Sequence, residues 1–232
     1  EMGHSIAVTL GRHGLRVVTC LQGRSQRTRQ LAESAGIASL PSLRDVVTAS
    51  DIVLSVVVPS AALEVGREVA AALAATGRHI MVADANAISP MTSIAIGDVI
   101  TAAGGKYVDV SIIGSAASLE TGTTFYVSGD RAADFAALQE FGLRVQILGD
   151  EVGQASAFKM VYAGLTKGLS SLAVELLVTA RALGILDQIL EKYRLSHPEI
   201  AHFMAHTLPG LPLRAARRSQ EMEELSATIE HA

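Results

Sequence analysis

Two stretches carry side chains of a type and spacing suited to chemistry. The first is Gly153-Gln154-Ala155-Ser156-Ala157-Phe158-Lys159-Met160-Val161-Tyr162-Ala163-Gly164. A lone lysine in so apolar a run either reaches for the surface or is held in a cleft with its pKa lowered, and only the second has chemical use. Such an amine can take a hydroxyl proton or return it. Tyr162 follows three positions later, close to Lys159 on a helix, and could polarise the same oxygen. The small residues at 153, 155 and 157 permit close approach of a ligand or another backbone.

The second stretch is Leu21-Gln22-Gly23-Arg24-Ser25-Gln26-Arg27-Thr28-Arg29. In a dinucleotide-binding fold the second strand ends about 20 residues after the glycine turn, where an acid holds the adenosine 2′-hydroxyl or an arginine accommodates a 2′-phosphate. Counted from Gly3, that place is Gly23-Arg24-Ser25. No carboxylate lies between Glu1 and Glu33, whereas Arg24, Arg27 and Arg29 do. The balance points to NADP rather than NAD, with Arg24, Ser25 and Arg27 as phosphate ligands. Cations at a helix start oppose the helix dipole, which strengthens the case for a bound anion.

Chemistry of this kind needs a scaffold that brings strand ends together. Short β-branched runs at 15–20, 51–58, 79–83 and 106–110 alternate with helical patterns at 26–35, 61–75 and 91–103, the mark of βαβ units around a parallel sheet. Further strands are predicted at 123–127 and 144–148 around a helix at 132–141. Gly14, Gly36, Gly77 and Gly104 fall where helix C-caps belong. Beyond Asp150 no β pattern appears, and a helix over 152–183, roughly 48 Å long, opens an all-α part with helices at 187–195, 198–206 and 214–231. The predicted fold is therefore α/β, a Rossmann-type doubly wound sheet over 1–150 followed by a helical substrate and dimerisation domain over 151–232.

Strand C-termini are where open α/β sheets bind ligands. Val58-Pro59 and Asn86 follow such ends, and the expectation is that Val58 and Pro59 line the ribose and nicotinamide while Asn86 bonds near the nicotinamide. Composition narrows the function classes. The chain has 232 residues, 49% of them hydrophobic but only 4% aromatic, and a formal charge of −4. That balance gives no footprint for nucleic acid or an anionic membrane. The apolar stretch from Leu169 to Leu190 is broken by Glu175, Arg181 and Asp187, so no membrane span is expected. A single cysteine, Cys20, and no basic-then-apolar leader suit a cytoplasmic protein. His202 and His206 share a helix face, but no carboxylate or Cys partner sits at ligand spacing, so no metal is expected. Arg214, Arg217 and Arg218, followed by Glu221, Glu223 and Glu224, read as a solvated helix face.

The order of parts resembles the β-hydroxyacid dehydrogenase superfamily, which includes 6-phosphogluconate dehydrogenase. Phe158-Lys159-Met160-Val161-Tyr162-Ala163-Gly164 is similar to the Lys-Met-Val-His-Asn-Gly run of the phosphogluconate enzymes, and the resemblance places Lys159 on their catalytic lysine. Together with Arg214-Ala215-Ala216-Arg217-Arg218 and Glu221-Met222, it points to a phosphogluconate-dehydrogenase-like branch of that superfamily. It implies an NADP-dependent oxidoreductase acting on a small, anionic hydroxy acid or related carbonyl compound, as a homodimer, with one of the late arginines a candidate for the substrate anion in the partner's site. Departures from the pattern matter as much. The His-Asn pair is here Tyr162-Ala163, and the glutamate seven positions after the lysine is Thr166, which argues against phosphogluconate itself. The substrate loop Asp-Ala-Pro-Val-Ser-Gly-Gly corresponds to Asp109-Val110-Ser111-Ile112-Ile113-Gly114-Ser115, leaving Ser111 or Ser115 to replace the serine lost at Ile113. Imine reductases share the architecture but carry another residue at the lysine position; a non-catalytic NADPH-binding protein is the remaining alternative. By the same resemblance, Glu1-Met2-Gly3 looks like the end of a Gly-x-Gly-x-x-Gly fingerprint, with Met2 and Gly3 at the pyrophosphate, the helix following at 4–13, and the first strand expected ahead of residue 1.

Overall fold

The structure, a computed structural model, describes residues 1–232 apart from the side chains of Arg214, Ala216 and Arg217. Helix α1 (Met2–Arg12) opens the chain, and strand β1 (Val18–Cys20) follows it. Helix α2 (Gln26–Ser34) then leads to β2 (Ala38–Leu40) and α3 (Leu43–Ala49). Next come β3 (Ile52–Ser55), α4 (Pro59–Thr76), β4 (Met81–Asp84), α5 (Pro90–Ala102) and β5 (Lys106–Ile113). Strand β6 (Thr124–Ser128), α6 (Ala132–Ala136) with a 3-10 turn to Phe141, and β7 (Val145–Gly149) complete the sheets. The long α7 (Gln154–Ala182) and helices α8 (Leu186–Ser196), α9 (Pro198–Thr207) and α10 (Ala215–His231) form the helical end.

Strands β1 and β2 pair in parallel as a small sheet, separate from the five-stranded sheet ordered β3-β4-β5-β6-β7. Strands β3, β4 and β5 are parallel, as their crossover helices require. Strand β6 runs antiparallel to β5, and β7 pairs parallel to β6. The link from Ile113 to Thr124 holds only a single 3-10 turn, too short for a crossover helix, so the chain reverses instead.

Both faces of the larger sheet are covered. Ile6 of α1 and Phe135 of α6 pack with Val108, Val110, Phe125 and Val127 on one face. Val69, Leu73, Ile96 and Ile100 of α4 and α5 pack with Val82 and Tyr107 on the other. The period of two along each strand sorts the residues between faces.

The expected elements are present with shifted ends. The first strand is shorter than 15–20, and the helix at 132–141 tightens into a 3-10 turn after Ala136. Strand β2 and helix α3 were not expected. Ala38-Ser39-Leu40 carries no β-branched signal, but Ser42 and Asp45 form a capping pair that marks the start of α3: Ser42 Oγ accepts from Asp45 N at 3.2 Å and donates to Asp45 Oδ2 at 2.6 Å. By length and composition α7 is apolar enough to cross a bilayer, unlike the interrupted run that had excluded one. Its first turn is instead bonded to the sheet.

Candidate active site

A polar row crosses the sheet at the C-terminal ends of its parallel strands. Register sets Ser55 beside Asp84, Asp84 beside Asp109, and Asp109 beside Ser128. All four are buried and lie on the face that carries Val82 and Tyr107. Four polar side chains under helices are tolerable only when bonded, and the bonds are there. Asn86 joins the first strands: its Oδ1 accepts from Val57 N at 2.6 Å, and its Nδ2 donates to Ser55 Oγ at 2.9 Å and to Asp84 Oδ2 at 2.8 Å. Asn86 N also donates to Asp84 Oδ1, at 3.0 Å.

Asp109 fastens α7 to the sheet. Its Oδ2 accepts from Ser128 Oγ at 3.1 Å and from the backbone N–H groups of Gly153 and Ser156, both at 3.0 Å. Its Oδ1 accepts from Ser156 Oγ at 2.7 Å. The N-cap residue itself, Gly153, has no side chain and sits at φ 101°, a conformation suited to glycine. A carboxylate from β5 therefore does the work of the missing cap. Ser128 Oγ accepts from Ala155 N at 2.9 Å, and Tyr126 packs on Phe158 with ring centroids 4.5 Å apart.

Lys159 lies three positions after Ser156, so it projects from the same side of α7, about one turn further on. It is half-buried and interacts electrostatically with Asp84. Burial above all pushes the Asp84 carboxyl up to about 7; the two Asn86 donors pull it down, the Asp109 charge raises it and Lys159 lowers it. Tyr107, buried beside the same acids, is raised well above its ordinary value by desolvation first, then by the charges of Asp84 and Asp109. Its hydroxyl lies 3.0 Å from Ser93 Oγ.

The other expected residues fall into groups. Gly3 sits over Val56, to which an added Cβ would come within 3.7 Å, while Met2 turns its side chain into the core, so its backbone N–H is what it can offer a ligand. No side chain caps α1 and no acid sits in its first turn. Arg27 of α2 forms an ion pair with Glu1, bringing the starts of α1 and α2 together. Arg24 and Ser25 are exposed beyond β1, in a turn where Arg24 N bonds Leu21 O at 3.2 Å and Gly23 takes φ 70°. Ser25 Oγ accepts from Thr28 N at 3.3 Å as the cap of α2, and Arg29 Nε bonds Arg24 O at 3.2 Å. Val58 is half exposed as the N-cap of α4, and Pro59 is buried at its first position. Tyr162 is exposed.

Several placements differ from expectation. Asn86 was expected to bond near the nicotinamide, but it is buried and both its amide donors are spent on Ser55 and Asp84, because it ties two strand ends together. Glu221 and Glu224 are not a solvated face: Glu221 forms a largely buried ion pair with Lys167, and Glu224 Oε2 accepts from Ser89 N at 2.7 Å and Thr92 Oγ1 at 3.1 Å at the start of α5. Helix α10 thereby folds back onto α5 and α7, where Leu225 methyls would lie 3.1 and 3.2 Å from a Cβ at Gly164. Arg214 and Arg217 lie outside the described side chains. Ser111 Oγ is buried with no hydrogen-bond partner among the described residues, whereas Ser115 Oγ is 2.8 Å from Ser118 Oγ. His202 and His206 stack at 3.9 Å, and no group of three metal-ligating side chains occurs among the described residues. The acids Asp84 and Asp109 were missed as a site; the signal was a carboxylate in each of two neighbouring apolar strand patterns.

Residues 1–143 match the family described as the NAD binding domain of 6-phosphogluconate dehydrogenase, and residues 180–232 match a domain of unknown function, DUF1932. An uncharacterised 28.5 kDa protein of Methanothermus fervidus is 33% identical over 177 residues, which is 75% of this chain and 66% of that protein. The structure of the conserved protein MTH1747, described as similar to 3-hydroxyacid dehydrogenases, superposes with a TM-score of 0.76 at 31% identity, covering 99% of this chain and 86% of that one. An imine reductase variant from Myxococcus stipitatus in complex with NAD+ shares the fold alone, with a TM-score of 0.69 at 20% identity over 92% of this chain and 74% of that one. With residues 1–143 matched, the chain belongs to the family of the NAD binding domain of 6-phosphogluconate dehydrogenase.

Proposed function

We propose that the protein is an NADP-dependent oxidoreductase that moves a hydride between nicotinamide and a small hydroxy acid or related carbonyl compound. The observation that supports this reading is the Asp109–Ser156 clamp, which ties the helix turn before Lys159 to the polar row at the strand ends. The donor set fits the cofactor. Uncapped N–H groups at Met2 and Gly3 suit a pyrophosphate, Arg24, Ser25 and Arg27 suit a 2′-phosphate, and Val58 and Pro59 line the space toward the ribose and nicotinamide. When bound there, the nicotinamide supplies the hydride chemistry. Lys159 takes the hydroxyl proton in oxidation and returns it in reduction, and Tyr162 polarises the same oxygen. Asn86 acts by holding the ends of β3 and β4, not by touching the ring.

The reading includes a division near residue 150 into a cofactor-binding part and a helical part, a cytoplasmic location and a homodimer. The dimer draws support from α7, where Val161, Leu165, Leu169, Leu172 and Leu176 form an exposed apolar stripe at helical spacing. The test is NADPH and NADH binding, followed by turnover of a panel of small keto acids, aldehydes and imines by wild type and Lys159→Ala. Turnover of keto acids that Lys159→Ala lacks is the expected result. Equal activity in both would overturn the lysine mechanism. Turnover of imines alone would favour an imine reductase, and tight binding without turnover a non-catalytic NADPH-binding protein.

A further inference from the structure

Asp84 has no part in the chemistry assigned to Lys159 and Tyr162. Asn86 accounts for the hydrogen bonds it makes, both of its oxygens accepting from that one residue. It does not account for an acid at this position. Asp84 and Asp109 sit directly side by side on neighbouring parallel strands, with chains about 4.8 Å apart, and both are buried. Asp109 is matched by four donors; Asp84 accepts from the neutral amides of Asn86. Two acids so placed repel one another unless a cation faces them.

Among the described residues, charged and titratable groups act on Asp84 from two elements. Strand β5 presents Asp109 and Tyr107, and α7 presents Lys159; from α5 the neutral Ser93 bonds Tyr107. Ser156 and Lys159 share a side of α7, and the bonds from Ser156 to Asp109 bring that side down onto the row. We propose that Asp84 is a positioning residue for Lys159, a buried counter-charge that holds the lysine amine over the polar row and exchanges a proton with it. This rests on the role given to Lys159 above.

The exchange balances within the pair. A proton leaves the Lys159 ammonium as its N–H bond breaks, an O–H bond forms on the Asp84 carboxylate, and a neutral amine and a neutral acid result. The amine is then ready for the next hydroxyl proton, and the reverse transfer restores the ammonium. The two groups therefore titrate as one coupled unit.

Lysine titrations test this without cofactor or substrate, so the result is separable from the question of turnover. The chain has four lysines, Lys106, Lys159, Lys167 and Lys192, which reductive 13C-methylation makes visible by NMR. Asp84→Asn should lower the Lys159 midpoint by about one pH unit or more and leave Lys106 and Lys192 in place. Reciprocity requires that Lys159→Met raise the Asp84 midpoint, followed through its 13C carboxyl signal, by a similar amount. This second arm also serves if Asp84→Asn does not fold. A Lys159 midpoint unmoved by Asp84→Asn, or an Asp84 midpoint unmoved by Lys159→Met, overturns the proposal. A shifted midpoint in a protein where Lys159→Ala retains full turnover would uphold the coupling and sink the catalytic role instead.

Discussion

Removal of the Asp109 carboxylate should separate two costs that the structure makes distinct. Three donors converge on Oδ2, from Ser128 Oγ, Gly153 N and Ser156 N, while Oδ1 receives the rotatable Ser156 hydroxyl. In Asp109→Asn the amide oxygen can take the Oδ2 place and keep three bonds, and Ser156 Oγ can turn to accept from the new NH2. The loss is the charge, worth roughly 1–2 kcal/mol at a helix start, with the smaller cost of an amide N–H and a hydroxyl that must find new acceptors. Asp109→Ala strands two backbone N–H groups and two hydroxyls in a buried place, and the cost should rise to about 3–5 kcal/mol. Urea unfolding followed by far-UV circular dichroism gives both numbers. Amide exchange should report the same lesion locally, with faster exchange at Gly153 and Ser156 in the alanine variant and little change in β3. Equal costs for the two variants, or an alanine cost below about 1 kcal/mol, would refute the clamp as the anchor of α7.

Asp84 predicts a pH dependence of stability. Its carboxyl rises from 3.8 to about 7 on folding, so between those values the folded state holds a proton that the unfolded chain releases, and stability falls as pH rises across that window and levels off above it. About three pH units at 1.36 kcal/mol each give roughly 4 kcal/mol; wild type and Asp84→Asn should therefore differ by about that much more at pH 8 than at pH 4, and parallel stability profiles would count against it. Gly164→Val should loosen α10, since a Cβ already meets Leu225 at 3.1 Å; a loss of about 1–3 kcal/mol and faster amide exchange across α10 are expected, with Gly164→Ala close to wild type. Arg24→Ala should weaken NADPH binding by about tenfold or more while leaving NADH unchanged, as measured by isothermal titration calorimetry; equal losses for both cofactors would point away from a 2′-phosphate site.

The larger part of the fold was legible because periodicity carries it. Runs such as Asp51–Val58 and Met91–Ala103 announce strand or helix by spacing alone, and Lys159 stood out because charge in an apolar helix needs a reason. What escaped was set by register. Nothing local in Val82-Ala83-Asp84 or Tyr107-Val108-Asp109 says that the two acids meet; that depends on Ala83 pairing with Val108. The place of Asn86 after a strand end suggests a ligand of the cofactor, yet the partners that consume it, Ser55 and Val57, lie about 30 residues away. Glu221 and Glu224 looked solvated for a similar reason, since only the return of α10 onto α5 and α7 supplies their partners.

The clamp at Ser156 has a mechanical consequence. It lies near one end of a rod that runs on to Ala182, so a tilt about this point moves the two ends very unequally. Lys159 is about 4.5 Å beyond the fulcrum and the far end about 39 Å. A 5° tilt therefore displaces the lysine backbone by about 0.4 Å and the far end by about 3.4 Å. A displacement of a few ångströms at the distal end would thus leave the aim of the amine almost unchanged.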